Sequence, residues 1–170
     1  MPRPDLNRVH PFYHNYISLV TEEELLKSFE LNEVLFFNFL KGIPEAKHDY
    51  RYAEGKWTIK EMLQHLMDAE RVFAYRALCF ARKDSQVLPG FDENEYARQS
   101  LAHSRKWEEM TDEFFNLRKA THAMFASFSK EQLNASGISG GGMNNYVLGI
   151  GFVMLGHCNH HKRILEERYL

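Results

Sequence analysis

The sequence predicts an all-α protein, a four-helix bundle. Three observations carry that prediction. Four long segments repeat apolar residues at helical spacing. No convincing run of alternating strand residues stands between them. Four helices of about 20 residues are the parts of a bundle.

The first helix is expected from about Glu22 to Leu40. Thr21 and Glu24 have capping-box spacing, Glu22-Glu23-Glu24 suits the positive end of the helix dipole, and Gly42 and Pro44 stop the helix. The second is expected from about Ile59 to Arg82, with Thr58 and Glu61 as its capping box and Pro89-Gly90 beyond its end. The third runs from about Ser104 to Phe128 and the fourth from about Asn145 to Tyr169. Asp92 to Gln99 reads as one or two helical turns. Gly137-Ile138-Ser139-Gly140-Gly141-Gly142 reads as a loop, and no Gly-Lys-Ser/Thr follows to make it a phosphate cradle.

Residues 1–170 are expected to form a single domain, long enough for a sizeable core, with no internal repeat. The chain is 44% hydrophobic and 26% charged, an ordinary globular balance. A net charge of −2 gives no basic face for nucleic acid. Two cysteines, Cys79 and Cys158, are too few for a disulfide framework and fit a reduced compartment. No apolar signal segment opens the chain. The longest apolar stretch, Tyr146 to Gly156, is too short to cross a bilayer. The expectation is a soluble, cytoplasmic protein that acts on a small molecule, without nucleic-acid or membrane partners. A homodimer stays open, since symmetric dimers are common.

Three of the nine histidines fall in Gly156-His157-Cys158-Asn159-His160-His161, on the last helix. Four residues advance about 6 Å and about 400°, so His157 and His161 leave one face a turn apart. With Ile150 as the origin, Met154, His157, His161 and Ile164 all fall within roughly 40° of one line. The two histidines therefore lie on the apolar seam. His160 falls on the flank and is the weaker ligand candidate. On the second helix His65 lies about 80° from the centre of the Met62, Leu66, Ala69, Phe73 stripe, at the edge of the core. An edge position suits a metal site that opens to solvent.

One histidine beside an apolar stripe is ordinarily a hydrogen-bonded boundary residue. Two on an inward seam leave several polar nitrogens to satisfy, which strengthens the case for a metal without deciding it; His65 as a third makes metal binding the favoured reading. His10, His14, His48, His103 and His122 are scattered and read mostly as surface residues. Cys158 projects about 100° from His157 and reads as a packed core thiol. His-Glu-x-x-His, paired Glu-x-x-His and Gly-x-Ser-x-Gly are absent, which sets aside zincin proteases, di-iron carboxylate bundles and nucleophile-elbow hydrolases.

Two blocks carry a family resemblance. One is Gly55-Lys56-Trp57-Thr58-Ile59-Lys60-Glu61-Met62-Leu63-Gln64-His65-Leu66-Met67-Asp68-Ala69-Glu70-Arg71. The other is Gly156-His157-Cys158-Asn159-His160-His161-Lys162-Arg163-Ile164-Leu165-Glu166-Glu167-Arg168-Tyr169. Together with Leu88-Pro89-Gly90-Phe91-Asp92-Glu93-Asn94 and Tyr16-Ile17-Ser18-Leu19-Val20, they resemble the DinB/YfiT-like metalloenzyme family (DinB superfamily). The resemblance runs from about residue 8 to the end. It implies a four-helix bundle with long crossover connections. It also implies one divalent metal held by His65, in Trp-Thr-x-x-x-x-Leu-x-His, and by His157 and His161, in His-x-x-x-His. Relatives of this kind include thiol S-transferases that use bacillithiol or mycothiol and a mycothiol-dependent isomerase.

Three neutral imidazoles would leave a coordination position open, and zinc, nickel or iron(II) suits nitrogen ligands. The expected function is a metal-dependent transferase acting on a low-molecular-weight thiol cofactor and an electrophile. A metal-dependent hydrolase on the same site is the alternative. A non-catalytic metal- or ligand-binding stress protein is the third reading. No general base is named by the sequence. Asp68 and Glu61 could orient an imidazole, although capping and surface roles are more usual for such residues. Arg71, Arg76 and Arg82 could form a basic patch for a carboxylate-bearing thiol, against the ordinary reading of solvated helix charges. Proton competition for the metal is expected below about pH 6.

Overall fold

The computed structural model describes residues 3–170. In chain order its helices are α1 (His14–Ser18), α2 (Leu25–Lys41), α3 (Ile59–Ala81), α4 (Glu93–Gln99), α5 (Trp107–Ala126), α6 (Lys130–Leu133) and α7 (Val147–Arg168). Two strands, β1 (Ser136–Ser139) and β2 (Met143–Tyr146), precede α7. The four expected long helices are α2, α3, α5 and α7.

Their ends differ from the sequence reading in instructive ways. At α3 the capping box forms as expected: the Glu61 N–H donates to Thr58 Oγ1 at 3.1 Å, and the Thr58 N–H donates to Glu61 Oε2 at 2.7 Å. At α2 it does not. The helix begins at Leu25 behind an extended Glu24 with no side-chain cap bond. Arg3 donates to the carbonyls of Ile17 at 2.9 Å and Val20 at 2.6 Å, which ties this stretch to the N-terminal segment. Before α5, Leu101 adopts a left-handed conformation (φ 52°), so residues 102–104 form a separate 3-10 turn.

The strands correct the all-helical expectation for residues 136–146. They pair antiparallel, with Gly137 opposite Asn145. Gly140, Gly141 and Gly142 turn the hairpin at φ 55°, 81° and 95°, a region closed to most side chains. Each strand has only four residues, too few for alternation to register. The hairpin also holds the chain ahead of α4: the Leu88 N–H donates to Ile138 O at 3.0 Å, and the Gly140 N–H donates to Leu88 O at 3.0 Å.

Around the bundle, α2 packs on α5 and α7, and α3 also packs on α5 and α7. The order is therefore α2–α5–α3–α7. Helices consecutive in the chain, α2 and α3, stand on a diagonal, as do α5 and α7. The connections 42–58 and 127–146 must cross the bundle end, and these are the long crossovers of the fold.

The core divides into two apolar clusters. One holds Phe29, Phe73, Phe80, Phe125 and Phe152, the other Phe36, Leu63, Phe114, Trp107 and Leu165. Between them lies a polar layer to which every long helix contributes. Arg118 of α5 donates through Nε and Nη2 to both oxygens of Glu70 on α3, at 2.8–3.0 Å. Arg118 Nη1 donates to Asn32 Oδ1 of α2 at 2.5 Å, and Asn32 Nδ2 donates to Asn159 Oδ1 of α7 at 2.8 Å. Arg118 is 2% exposed and Glu70 3%. Burial alone would lower the Arg118 pKa, but the Glu70 carboxylate outweighs it and the pKa is raised. Cys158 lies against this layer; burial raises its thiol to about 11 despite the nearby Arg118. It is a packed core thiol, as its helical angle implied.

Removing one member of the buried pair strands the other charge. Glu70→Ala should destabilise the protein by about 3–5 kcal/mol in urea denaturation. Replacing both partners by apolar residues, Glu70→Leu with Arg118→Met, should cost clearly less than the two single changes added together.

Candidate metal centre

A cavity of about 340 Å³, open at one side, lies against α3 and α7. His65 projects into it from α3, and His157 and His161 from α7. His157 Nε2 lies 3.1 Å from His65 Nε2 and 3.0 Å from His161 Nε2. The three are 7–8% exposed, and one ring nitrogen from each falls within a 4.8 Å cluster. His160 also lines the cavity but stands outside this trio. The structure thus brings together the three residues the sequence selected.

A ring nitrogen has one in-plane position, which carries either a proton or a lone pair. His157 Nε2 therefore cannot serve two imidazole neighbours well by hydrogen bonding. Three lone pairs converging on a cation resolve the conflict. Tetrahedral ligands about 2.05 Å from zinc stand about 3.3 Å apart, close to the spacing found here. His161 Nδ1 is buried without a hydrogen-bond partner among the described residues. The donor set and its spacing fit a divalent ion with nitrogen ligands.

Electrostatics prepares the same state. Burial lowers the His65 pKa to about 4. Burial also lowers His157 and His161 well below the ordinary value, helped by the other imidazoles around each. All three rings are neutral at pH 7 and keep their lone pairs. Proton competition therefore starts at a lower pH than the exposed-imidazole value near 6 would place it.

Aromatic rings orient the triad. Trp57 lies 4.7 Å from His65, Tyr16 lies 5.4 Å from His157, and Phe73 lies 6.2 Å from His157, between ring centroids. Tyr16 is placed by Gly156, where a Cβ would fall 1.9 Å from the Tyr16 carbonyl oxygen. Only a glycine lets α1 lie this close on α7. The far wall comes from Gly90 and Phe91 and from Gly140 and Met143 of the hairpin.

Other expected residues fall elsewhere. Glu61 closes the α3 cap, and Asp68 accepts a bond from Gln64 Nε2 at 2.9 Å; neither is bonded to the triad. Arg71 pairs with Glu113 at 2.5 Å, outside the cavity. The Arg82 guanidinium packs over Phe128 at 5.8 Å. Of the three arginines, Arg76 alone lines the cavity. Among the scattered histidines only His103 is exposed. His48 is buried and stacks on Trp107 with centroids 4.2 Å apart, which corrects its surface reading. Glu70 and Arg118 had no sequence signal beyond charges placed beside apolar stripes.

The family model of the DinB superfamily matches residues 28–165. Among solved structures, the chain is similar to YfiT from Bacillus subtilis, described as a probable metal-dependent hydrolase with an unusual four-helix bundle topology. That match has a TM-score of 0.71 at 14% identity and covers 84% of this chain and 82% of that one. The mycothiol-dependent maleylpyruvate isomerase is similar with a TM-score of 0.65 at 10% identity, over 85% of this chain and 59% of that one. The chain thus spans less than two thirds of the isomerase. No curated protein sequence matches significantly.

Two outcomes are expected. In elemental analysis, His161→Ala should retain less than about a tenth of the wild-type metal, while His160→Ala should keep it. The second concerns pH. Unfolded histidine titrates near 6.5 and folded His65 at about 4, so the unfolded chain binds more protons between these values. Metal-free protein should therefore hold its full stability above about pH 6.5 and lose it progressively toward pH 4. The part due to His65 is on the order of 3 kcal/mol, measurable by urea denaturation at stepped pH.

Proposed function

The chain belongs to the DinB superfamily, and from that premise we propose that it is a divalent-metal-dependent enzyme that joins a low-molecular-weight thiol to an electrophile. The observation that carries this reading is the make-up of the cavity. Three neutral imidazoles lie in an aromatic pocket, and among the described residues its only carboxylate is Glu93, exposed at the rim. His65, His157 and His161 would hold the ion, as zinc, nickel or iron(II). When bound, it supplies a Lewis acid that lowers the pKa of a thiol placed against it. With no carboxylate among the ligands, a bound divalent ion would keep its charge and would favour an anionic partner such as a thiolate.

The chain's own residues do the rest. Phe73, Phe91 and Tyr16 exclude water and give an apolar electrophile a surface to stack on. The thiol proton leaves to solvent. The half-buried His160 imidazole, its pKa lowered by burial, is neutral at pH 7 and can accept it on the way. Sulfur then forms a bond to the electrophilic carbon while the leaving group departs with its electron pair. This path needs one proton acceptor at most.

Hydrolysis is the second reading, favoured by the likeness to YfiT. It asks for a base on the attacking water and an acid for the leaving group. His160 could fill one of those roles, and among the described residues the only lining carboxylate, Glu93, stands at the rim.

Metal-loaded protein incubated with a panel of thiols and a chlorinated dinitrobenzene should form the thioether, and chelation should return the rate to background. His161→Ala should lower turnover by about 100-fold or more. Metal-dependent cleavage of esters or amides without any thiol would replace this reading with hydrolysis. Absence of metal-dependent turnover in both assays would leave a binding protein.

A further inference from the structure

Among the described residues, Arg76 is the one charged group in the depths of the cavity that the metal chemistry does not use. It lies on α3, about three turns beyond His65, and is 4% exposed. Its Nη2 donates to the Pro89 carbonyl at 2.8 Å, and the Tyr13 hydroxyl adjoins the guanidinium. Its Nε–H is buried with no partner among the described residues. The other buried arginine of the described residues, Arg118, is paired with an acid, Glu70. No such carboxylate pairs with Arg76 among the described residues. A guanidinium enclosed without a counter-charge is costly, and the position becomes favourable when an anion joins it.

The surroundings hold Arg76 toward the cavity. The Pro89 carbonyl fixes one end of the guanidinium, and the turn of the hairpin closes over it. A Cβ on Gly140 would stand 3.6 Å from Nη2 and 2.8 Å from Met143 Cε, so the turn packs directly against the arginine. Phe73 lies between Arg76 and the triad. Its ring centroid is 5.7 Å from Arg76 Cζ and 6.2 Å from the His157 ring centroid.

We infer that Arg76 is the docking group for a carboxylate on the thiol substrate, with the sulfur at the histidine triad and an apolar spacer across Phe73. The assignment of the sulfur end rests on the transferase reading above; the assignment of the carboxylate end rests on Arg76 itself. A planar carboxylate matches the edge of a guanidinium, and charge-assisted hydrogen bonds of this kind are strong.

Cobalt-loaded protein offers a readout apart from turnover, because its charge-transfer absorption reports thiolate coordination. The probes are mercaptohexanoate and mercaptohexanol, equal in length and different in charge. Wild type should bind the acid at least about tenfold more tightly than the alcohol. Arg76→Met should abolish that preference while keeping cobalt content and mercaptohexanol affinity, and Arg76→Lys should restore part of it. Equal affinities in wild type, or equal weakening of both thiols in Arg76→Met, would overturn the inference. If neither thiol alters the cobalt spectrum, the transferase reading fails. Calorimetry with hexanoate, which lacks sulfur, then decides the arginine separately: tighter binding to wild type than to Arg76→Met supports its role, and equal binding overturns it. If Arg76→Met does not fold, the wild-type preference and the Arg76→Lys protein carry the same comparison.

Discussion

The buried Glu70–Arg118 pair fixes how the four long helices meet. Arg118 reaches both oxygens of Glu70 and also Asn32, and Asn32 reaches Asn159. Hydrogen bonds are directional, so a slip of one helix along another would leave a buried charge unpaired. Apolar contacts in the two flanking clusters tolerate such slips far better. Glu70 stands a little over one turn beyond His65, and Asn159 lies between His157 and His161. The layer that sets the helix register therefore also sets α3 against α7 where the histidines meet.

Crossover topology supplies the walls. With α2 and α3 on one diagonal and α5 and α7 on the other, the connections cannot be tight turns. They pass over the bundle end, and each sends residues to the cavity: Trp57 from 42–58, Gly140 and Met143 from 127–146. The segment before α2 brings Tyr13 and Tyr16, seated by the close approach at Gly156. Trp57 comes from the α2–α3 crossover, and Phe91 from the segment joined to the hairpin at Leu88. Residues far apart in the chain thereby surround three imidazoles.

Enclosure and electrostatics act in the same direction. Burial penalises a protonated imidazole, and two neighbours of the same kind penalise it further. The rings are kept neutral, which is the form that binds a metal. The cost falls on stability at acid pH. Arg76 shows the opposite case. A guanidinium cannot give up its proton at neutral pH, so its burial leaves a positive charge in the cavity wall rather than a neutral group.

The helices and the His157–His161 pair were legible in the sequence because both depend on spacing along one chain direction, and the family resemblance added His65. Apolar periodicity located the four helices, the Thr58–Glu61 box located the start of α3, and the four-residue step selected His157 and His161 over His160. The start of α2 was not legible, because Arg3 ties down the preceding carbonyls from a distance. The hairpin was too short for a pattern, and its stability comes from packing on Leu88 and the bundle. His48 carried no mark of burial, since Trp107 reaches it only in the folded chain. Which of Arg71, Arg76 and Arg82 enters the cavity was also undecided, because helix phase places a side chain on a face and the neighbouring elements decide what covers that face. The sequence by itself determined the helices, the ligand spacing and the family resemblance, all local patterns. The tertiary structure alone decided that His65 meets His157 and His161, that Glu70 pairs with Arg118, and that Arg76 lines the cavity without a paired acid among the described residues. These are contacts between elements distant in sequence, and only packing brings them within range.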